Sequence, residues 1–158
     1  VRSHSVEVYL ESAPDTVVQE LEGGKEVVFA TSSQPTMIWK TILGPADWKV
    51  YWVYGGRMSD LIADARYDGD SFKIRVAAFA NDMQPLRSGL PVQVTLRDPA
   101  GREVEAYRRH TALDPETGTL ELDIPRAALM DDDGEWTAVV TDLIGGREAR
   151  ARFAVTAR

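Results

Sequence analysis

Five aromatic side chains between residues 39 and 54 are the strongest candidates for a ligand-binding surface. They are Trp39, Trp48, Tyr51, Trp52 and Tyr54. If residues 48–54 form one extended strand, the even-numbered residues share a face and Tyr51 lies on the other. Aromatic faces can stack on the C–H groups of sugar rings, and large exposed apolar patches usually have a function. The cluster is therefore consistent with core packing, a carbohydrate platform or a protein interface.

Two acidic stretches could offer oxygen ligands to calcium. Asp64, Asp68 and Asp70 lie close together in the sequence, and residues 131–133 are three consecutive aspartates. A calcium site needs several oxygen atoms at once. Neither stretch has the spaced acidic residues, glycine and distal glutamate of an EF-hand loop. We therefore interpret both stretches as solvated turns and predict no metal site.

The residue types that usually carry catalysis are scarce. The chain has no cysteine, and its two histidines are His4 and His110. No G-x-S-x-G motif or phosphate-binding loop occurs, and two distant histidines do not form a zinc site. The 25 acidic residues offer many carboxylate pairs for glycoside chemistry, but nothing in their spacing selects one. We predict that the protein is not an enzyme and has no catalytic residues and no cofactor.

Arginines are frequent in the second half of the chain. Five of them could form a basic strip if their strands are neighbours: Arg108, Arg109, Arg147, Arg150 and Arg152. Glu103, Glu105 and Glu148 lie among them in the sequence, which favours a solvated face of mixed charge. The formal net charge of −7 repels a phosphate backbone, so nucleic acid is not an expected partner.

Length and composition describe a chain that can build its own core. The 158 residues are 44% hydrophobic and 27% charged, which is typical of a globular protein. No apolar run approaches the roughly 20 residues of a membrane-spanning helix, so no membrane insertion is expected. The first residues, VRSHSVEVYLES, do not resemble a signal peptide, and we interpret them as a mature end or an internal point of a longer protein.

The first half of the chain reads as a set of short strands. The candidate strands are residues 6–10, 17–22, 25–31, 37–43 and 48–54. Gly23 and Gly24 predict a hairpin turn. Residues 59–67 are ambiguous, because Ser59 could cap a short helix or the stretch could be a strand. We predict that residues 1–70 form a small β-rich unit, either independent or completing a neighbouring domain.

In the second half of the chain, candidate strands and turn signals follow one another at a more regular spacing. Its candidate strands are residues 72–79, 92–96, 104–106, 120–124, 136–140 and 149–155. Turn signals separate them at residues 98–101 and 114–118, and Gly145-Gly146 predicts a hairpin. Short alternating strands at this spacing are typical of an immunoglobulin-like antiparallel β-sandwich, which we predict for residues 71–158.

Three segments of this half resemble one known family. They are SGLPVQVTLRDPAGREV (88–104), TGTLELDIPRAAL (117–129) and GEWTAVVTD (134–142). They are similar to bacterial immunoglobulin-like domains of the macroglobulin type, with its "plPV-x-V-x-V-x-dP-x-G", "G-x-l-x-l-x-iP" and "G-x-W-x-x-x-V" patterns. The resemblance covers residues 71–158 and implies architecture only. The macroglobulin thioester needs a cysteine, so protease trapping is not implied.

The sequence as a whole predicts an all-β protein in which a smaller β-rich unit precedes an immunoglobulin-like sandwich. We expect a non-catalytic structural or interaction module, the C-terminal part of a larger bacterial envelope or secreted protein. The expected location is extracytoplasmic: the periplasm, the cell surface or the medium. The expected partner is a neighbouring domain or protein. The alternative is a carbohydrate-binding module that uses the aromatic platform on a polysaccharide.

Overall fold

The chain is almost entirely β-structure. The computed structural model describes residues 3–11, 16–20, 26–29, 36–45, 47–55, 58–81, 83–127 and 132–156, with the backbone alone described at 26–29 and 54–55. It divides into two compact units, Val1–Arg57 and Met58–Arg158. Antiparallel strands make up nearly all the regular structure of both, which confirms the all-β prediction.

The first unit contains two antiparallel sheets. Its described strands are β1 (His4–Glu11), β2 (Thr16–Glu20), β3 (Glu26–Phe29), β4 (Thr36–Leu43) and β5 (Tyr51–Gly55). β1 pairs with β4 over eight consecutive residue pairs, without a bulge. In the other sheet, β2 lies between β3 and β5. The core of the unit forms where side chains from these two sheets meet.

That core follows from the alternation of side chains along each strand. From Thr36 to Ile42, the odd-numbered residues of β4 are buried and the even-numbered residues are exposed. The buried cluster consists of Val18, Met37 and Trp39, with Val8, Leu10 and Tyr51 packed against it. The opposite face of the β1–β4 sheet is open to solvent, where Tyr9, Ile38 and Ile42 are each more than half exposed.

The second unit also has two antiparallel sheets. Its described strands are β6 (Met58–Tyr67), β7 (Ser71–Ala80), β8 (Pro91–Arg97), β9 (Arg109–Ala112), β10 (Thr119–Pro125), β11 (Gly134–Asp142) and β12 (Glu148–Val155). One sheet has the order β10-β7-β6, and the other has the order β12-β11-β8-β9. The helical structure described in this unit is a single 3-10 turn at Glu105–Tyr107.

Aromatic side chains join the two sheets of the second unit. Phe72 of β7 is fully buried, and its ring centroid lies 5.3 Å from that of Trp136 on β11. The rings of Tyr107 and Phe153 approach the Phe72 ring edge-on, with centroid distances of 5.0 and 5.9 Å. The indole N–H of Trp136 donates to the carbonyl of Asp132 at 2.9 Å, so its polar atom is satisfied in the core. Each such side chain contributes roughly 1.5–3 kcal/mol through burial.

The predicted turns of the second half form where the sequence places them. The N–H of Gly101 donates to the carbonyl of Asp98 at 2.8 Å, and Gly101 has a positive φ of 79°. The Asp98 carboxylate caps this turn by accepting from the backbone N–H of Arg102 at 2.8 Å. The N–H of Gly146 bonds to the carbonyl of Asp142 at 3.0 Å, which closes the predicted β11–β12 hairpin.

Several details differ from the sequence-based expectations. The division between units lies between Arg57 and Met58 rather than at residue 70, because β6 pairs with β7 along its length. Residues 59–67, for which the sequence left both helix and strand open, belong to strand β6. Residues 48–50 precede β5 rather than belonging to it. The predicted strand at 104–106 is mostly the 3-10 turn. The Gly23-Gly24 turn and the acidic residue Asp131 lie outside the described residues.

Candidate functional site

The aromatic cluster of the first unit is divided between core and surface. Trp39 lies on the inner face of β4 and is 7% exposed. Its ring packs edge-to-face on that of Tyr51, with centroids 5.4 Å apart and planes at 73°. An indole held in this way between two sheets contributes through burial and has little surface left for a ligand. For Trp39, the structure favours the core-packing interpretation.

The other members of the cluster lie in or just before β5. Trp48 is 74% exposed, and its backbone N–H donates to the Asp47 carboxylate at 3.1 Å. Trp52 is partly buried and lies opposite Gln19 of β2. Tyr54 pairs with Val17 through the backbone, and its side chain is outside the described residues. Trp48 is thus the aromatic residue of the cluster whose described side chain is most available to a ligand.

Two indole N–H groups in this cluster, those of Trp39 and Trp52, are buried and have no hydrogen-bond partner among the residues that the structure describes. An unsatisfied buried donor costs about 1–3 kcal/mol. Most buried polar groups in proteins are paired, so these two nitrogens are exceptions among the described residues.

The first acidic stretch is a structural turn. The Asp68 carboxylate accepts from the backbone N–H groups of Asp70 and Ser71 at 3.1 and 2.9 Å. These donors, aided by Lys73, lower the pKa of Asp68 to about 2. Asp64 lies on β6, opposite Arg75 of β7. The carboxylates of this stretch are therefore spread over a turn and a strand face rather than converging on one point.

The carboxylates of the second acidic stretch lie near arginine side chains. Asp132 lies 3.8 Å from the Arg102 guanidinium, and Asp133 lies 3.9 Å from that of Arg126. Among the residues that the structure describes, no group of three or more potential metal ligands comes together. The observed partners of these two aspartates are arginines.

The arginines of the second unit do not form an unbroken basic strip. Arg108 pairs with Glu103 and with Glu105, and Arg150 lies 2.8 Å from Glu148. Arg109 donates to the carbonyl of Ala106 at 3.0 Å. These pairs alternate positive and negative charge on the surface. Exposed pairs of this kind add little stability.

The two histidines lie in different units. His4 begins β1 and is exposed, whereas His110 lies in β9 with its Nε2 atom 3.3 Å from Oε1 of Gln93. Neither has a described hydrogen bond to a serine or an acidic side chain. The geometry that a histidine needs to act as a general base toward a nucleophile is therefore not seen at either residue in the described part of the chain.

Two depressions that sequence reasoning missed lie on the outer face of the β10-β7-β6 sheet. They measure about 300 and 260 Å³. Both are bordered by Arg75 and Glu121, which form an exposed ion pair at 2.7 Å. The first is also bordered by Ile62, Ala77 and Thr119. They arise because small side chains lie next to long charged ones on this face of the sheet. Which side chains become neighbours depends on strand register, which the sequence does not show.

Two comparisons of the sequence found no relative: no protein-family model matches the chain, and no curated protein matches it. Within the described ranges, no helix has the length and apolar character needed to span a membrane. The functional interpretation therefore depends on the residues and their geometry.

Proposed function

We propose that this chain is a non-catalytic structural and interaction module of a larger bacterial envelope or secreted protein. In this proposal the second unit is an immunoglobulin-like sandwich that holds a neighbouring domain or protein at a fixed position. The observation that carries the proposal is that the residues of the three family-like segments occupy the core and the turns. The extracytoplasmic location and the bacterial origin follow from the resemblance of those segments alone.

The strand order of the second unit supports the immunoglobulin-like part of the proposal. With β6, β7, β8, β10, β11 and β12 labelled A, B, C, E, F and G, one sheet reads E-B-A. The other reads G-F-C, with the short β9 at its edge. Immunoglobulin-like sandwiches place A, B and E in one sheet and C, F and G in the other. A fold of this type does not by itself specify a function, so the proposal also depends on what the individual residues do.

The residues of the family-like segments have structural roles. Val92, Val94 and Leu96 are fully buried on β8, and Trp136 and Val140 are fully buried on β11. The glycines of two of these segments take positive φ values at turns, 79° at Gly101 and 66° at Gly118. None of these residues presents a reactive group to solvent. Residues with these roles maintain the fold of the second unit. They support the proposal of a module that holds a neighbouring domain or protein in position.

The remaining polar side chains also support a structural role. The Asp142 carboxylate is buried and accepts from the backbone N–H groups of Ile144 and Gly145 at 2.7 and 3.0 Å. Asp114 accepts from the backbone N–H groups of Glu116 and Thr117, which lowers its pKa. Carboxylates held in this way stabilise turns.

A domain-replacement experiment tests the proposal. In the native reading frame, residues 58–158 would be replaced by an unrelated immunoglobulin-like domain of similar length, and separately deleted. If the unit acts as a spacer, the replacement should retain the function of the full protein and the deletion should lose it. Equal loss in both variants would contradict a purely structural role and would indicate that the surface of this unit binds something specific.

The carbohydrate-binding alternative is favoured by one observation, the exposure of Trp48. A single exposed indole can stack on a sugar ring, and its neighbour Val50 is 43% exposed. Trp39, which the platform hypothesis also includes, is buried. The carbohydrate-binding alternative is therefore limited to a small surface around Trp48. Trp52, four residues later in the sequence, is partly exposed.

Fluorescence titration with soluble polysaccharides separates the two functions. The wild type would be compared with Trp48→Ala, and Trp39→Phe serves as a control because that indole lies in the core. A glycan-dependent emission change that is lost in Trp48→Ala and retained in Trp39→Phe would establish the carbohydrate-binding function. Emission that no glycan alters would reject it and leave the structural module as the proposal.

A further inference from the structure

The β1 strand presents a long open edge. Within the described part of the chain β1 pairs with β4 alone, so its other side has no strand partner there. Six of its eight residues are exposed, and Val6 and Tyr9 are 37% and 65% exposed. A strand edge of this kind carries a row of backbone N–H and C=O groups that can pair with another strand.

This edge lacks most of the features that usually prevent strand addition. Natural edge strands are guarded by charged side chains (lysine above all), proline, bulges or short length, and of these β1 has only the carboxylates of Glu7 and Glu11. β1 has eight residues with no proline and no lysine, and its register with β4 has no bulge. Its apolar residues Val6, Val8 and Leu10 alternate strictly with polar or aromatic ones. The edge is therefore competent to add a strand whose side chains match this pattern.

We propose that β1 pairs antiparallel with β1 of a second copy of the chain, which joins two β1–β4 sheets into one four-stranded sheet. This interface goes beyond the proposed structural function, because it uses the first unit to form a homodimer. A two-fold axis perpendicular to the sheet makes the same eight-residue strand serve both copies.

Side-chain direction limits the register of such a pairing. Directly opposed residues must point to the same face of the sheet, so the two residue numbers must have an even sum. Two registers give the longest overlap, with seven pairs each within His4–Glu11. One of them places Glu7 opposite Glu7 of the second copy, which is a like-charge pair and is disfavoured. The other centres the axis on Val8.

The register centred on Val8 is chemically self-complementary. On the outer face it places Glu7 opposite the second copy's Tyr9 and Glu11 opposite the second copy's Ser5. Both acidic residues of β1 therefore oppose a hydroxyl group that can donate to a carboxylate. On the inner face, Val6 opposes Leu10 and Val8 opposes Val8, so apolar side chains meet apolar side chains.

Two contacts within one copy already hold the Glu7 carboxylate beside hydrogen-bond donors. The Tyr9 hydroxyl already donates to the Glu7 carboxylate at 2.8 Å within the strand, and Lys40 of β4 pairs with the same carboxylate at 2.8 Å. In the dimer each Glu7 would lie between Lys40 of its own copy and Tyr9 of the other. An unrelated strand would have to supply matching donors at both acidic positions, whereas a second copy does so by symmetry.

Sedimentation equilibrium and light scattering of the full chain test the dimer. The expected mass is twice 17.5 kDa. Ser5→Glu places like charges opposite each other at both Ser5–Glu11 pairs and should raise the dimer Kd about tenfold. Adding Glu11→Lys to that variant makes both pairs attractive and should restore the Kd. Thr119→Glu, an equally exposed change on β10, is the matched control and should leave the Kd unchanged.

Disulfide formation tests the register directly. The chain has no cysteine, so Val8→Cys and Glu7→Cys each introduce a single thiol. In the proposed register, Val8→Cys should oxidise to a covalent dimer, whereas the two Glu7→Cys positions are too far apart for a disulfide. A monomeric mass at millimolar concentration would overturn the proposal. So would a dimer that Ser5→Glu does not weaken, or one in which Glu7→Cys forms the covalent dimer in place of Val8→Cys.

Discussion

Replacement of Gly118 by alanine should strongly destabilise the second unit. Gly118 ends the turn before β10 with a φ of +66°, where side chains are disfavoured. An added Cβ would lie 2.6 Å from the carbonyl oxygen of Leu86 and 3.2 Å from that of Ala78. These are backbone atoms, so no flexible side chain can move away to relieve the contact. The turn and the segment packed on it must therefore separate.

The expected loss can be estimated from the contacts at this point. A left-handed conformation costs a non-glycine residue roughly 1–2 kcal/mol. The Ala78 N–H donates to the Gly118 carbonyl at 3.0 Å, and the Leu86 N–H donates to the Ala78 carbonyl at 2.8 Å. Weakening these two hydrogen bonds adds about 0.5–1.5 kcal/mol each. Together the changes predict a loss of about 3 kcal/mol.

Gly101→Ala is the matched control. Its φ is +79°, but an added Cβ would meet no atom within 4 Å. It should therefore lose only the conformational part, about 1–2 kcal/mol. Urea unfolding measures both losses, provided that the two variants keep the denaturant slope of the wild type. Equal losses would refute the reasoning, because they would show that the close approach to Leu86 and Ala78 carries no cost.

Two further predictions concern carboxylates that hold turns. Asp142→Ala leaves the N–H groups of Ile144 and Gly145 without their acceptor and should cost about 1–3 kcal/mol in urea unfolding, whereas Asp142→Asn, which keeps one acceptor oxygen, should cost less; equal costs would contradict this view. The pKa of Asp68 is lowered in the fold from 3.8 to about 2, so its stabilising contribution is complete above pH 3.8 and is lost as the pH falls toward 2. The urea midpoint should fall less over this pH window in Asp68→Asn than in the wild type, and an unchanged pH profile would show that the turn does not stabilise the ionised carboxylate.

Local patterns were sufficient to predict most of the second unit. Leu120, Leu122 and Ile124 alternate with acidic residues, and β10 forms there with Ile124 buried. The Gly145-Gly146 signal coincides with the hairpin turn between β11 and β12. Such features depend on side-chain period and on backbone preferences over a few residues, which a sequence displays directly.

The details that local patterns did not predict depend on strand pairing. Residues 48–50 look like strand, but β2 pairs with β5 only as far as Tyr51, opposite Glu20. Among the described residues, no backbone continues the ladder beside residues 48–50, and the strand begins at Tyr51. The unit boundary is a different case, because β6 and β7 are consecutive strands that pair across a short turn, with Tyr67 opposite Phe72. Strand existence and domain membership are properties of pairing, which periodicity does not reveal.

The candidate aromatic site also has features that the sequence predicts and features that depend on packing. The sequence by itself determined that large aromatic rings gather between residues 39 and 54 and that the chain would be all-β, because residue type and alternation are local. Only the tertiary structure decided that Trp39 is buried and Trp48 exposed. Burial depends on which sheet covers a given face, and that is set when β4 packs its inner side chains against Val18 of β2.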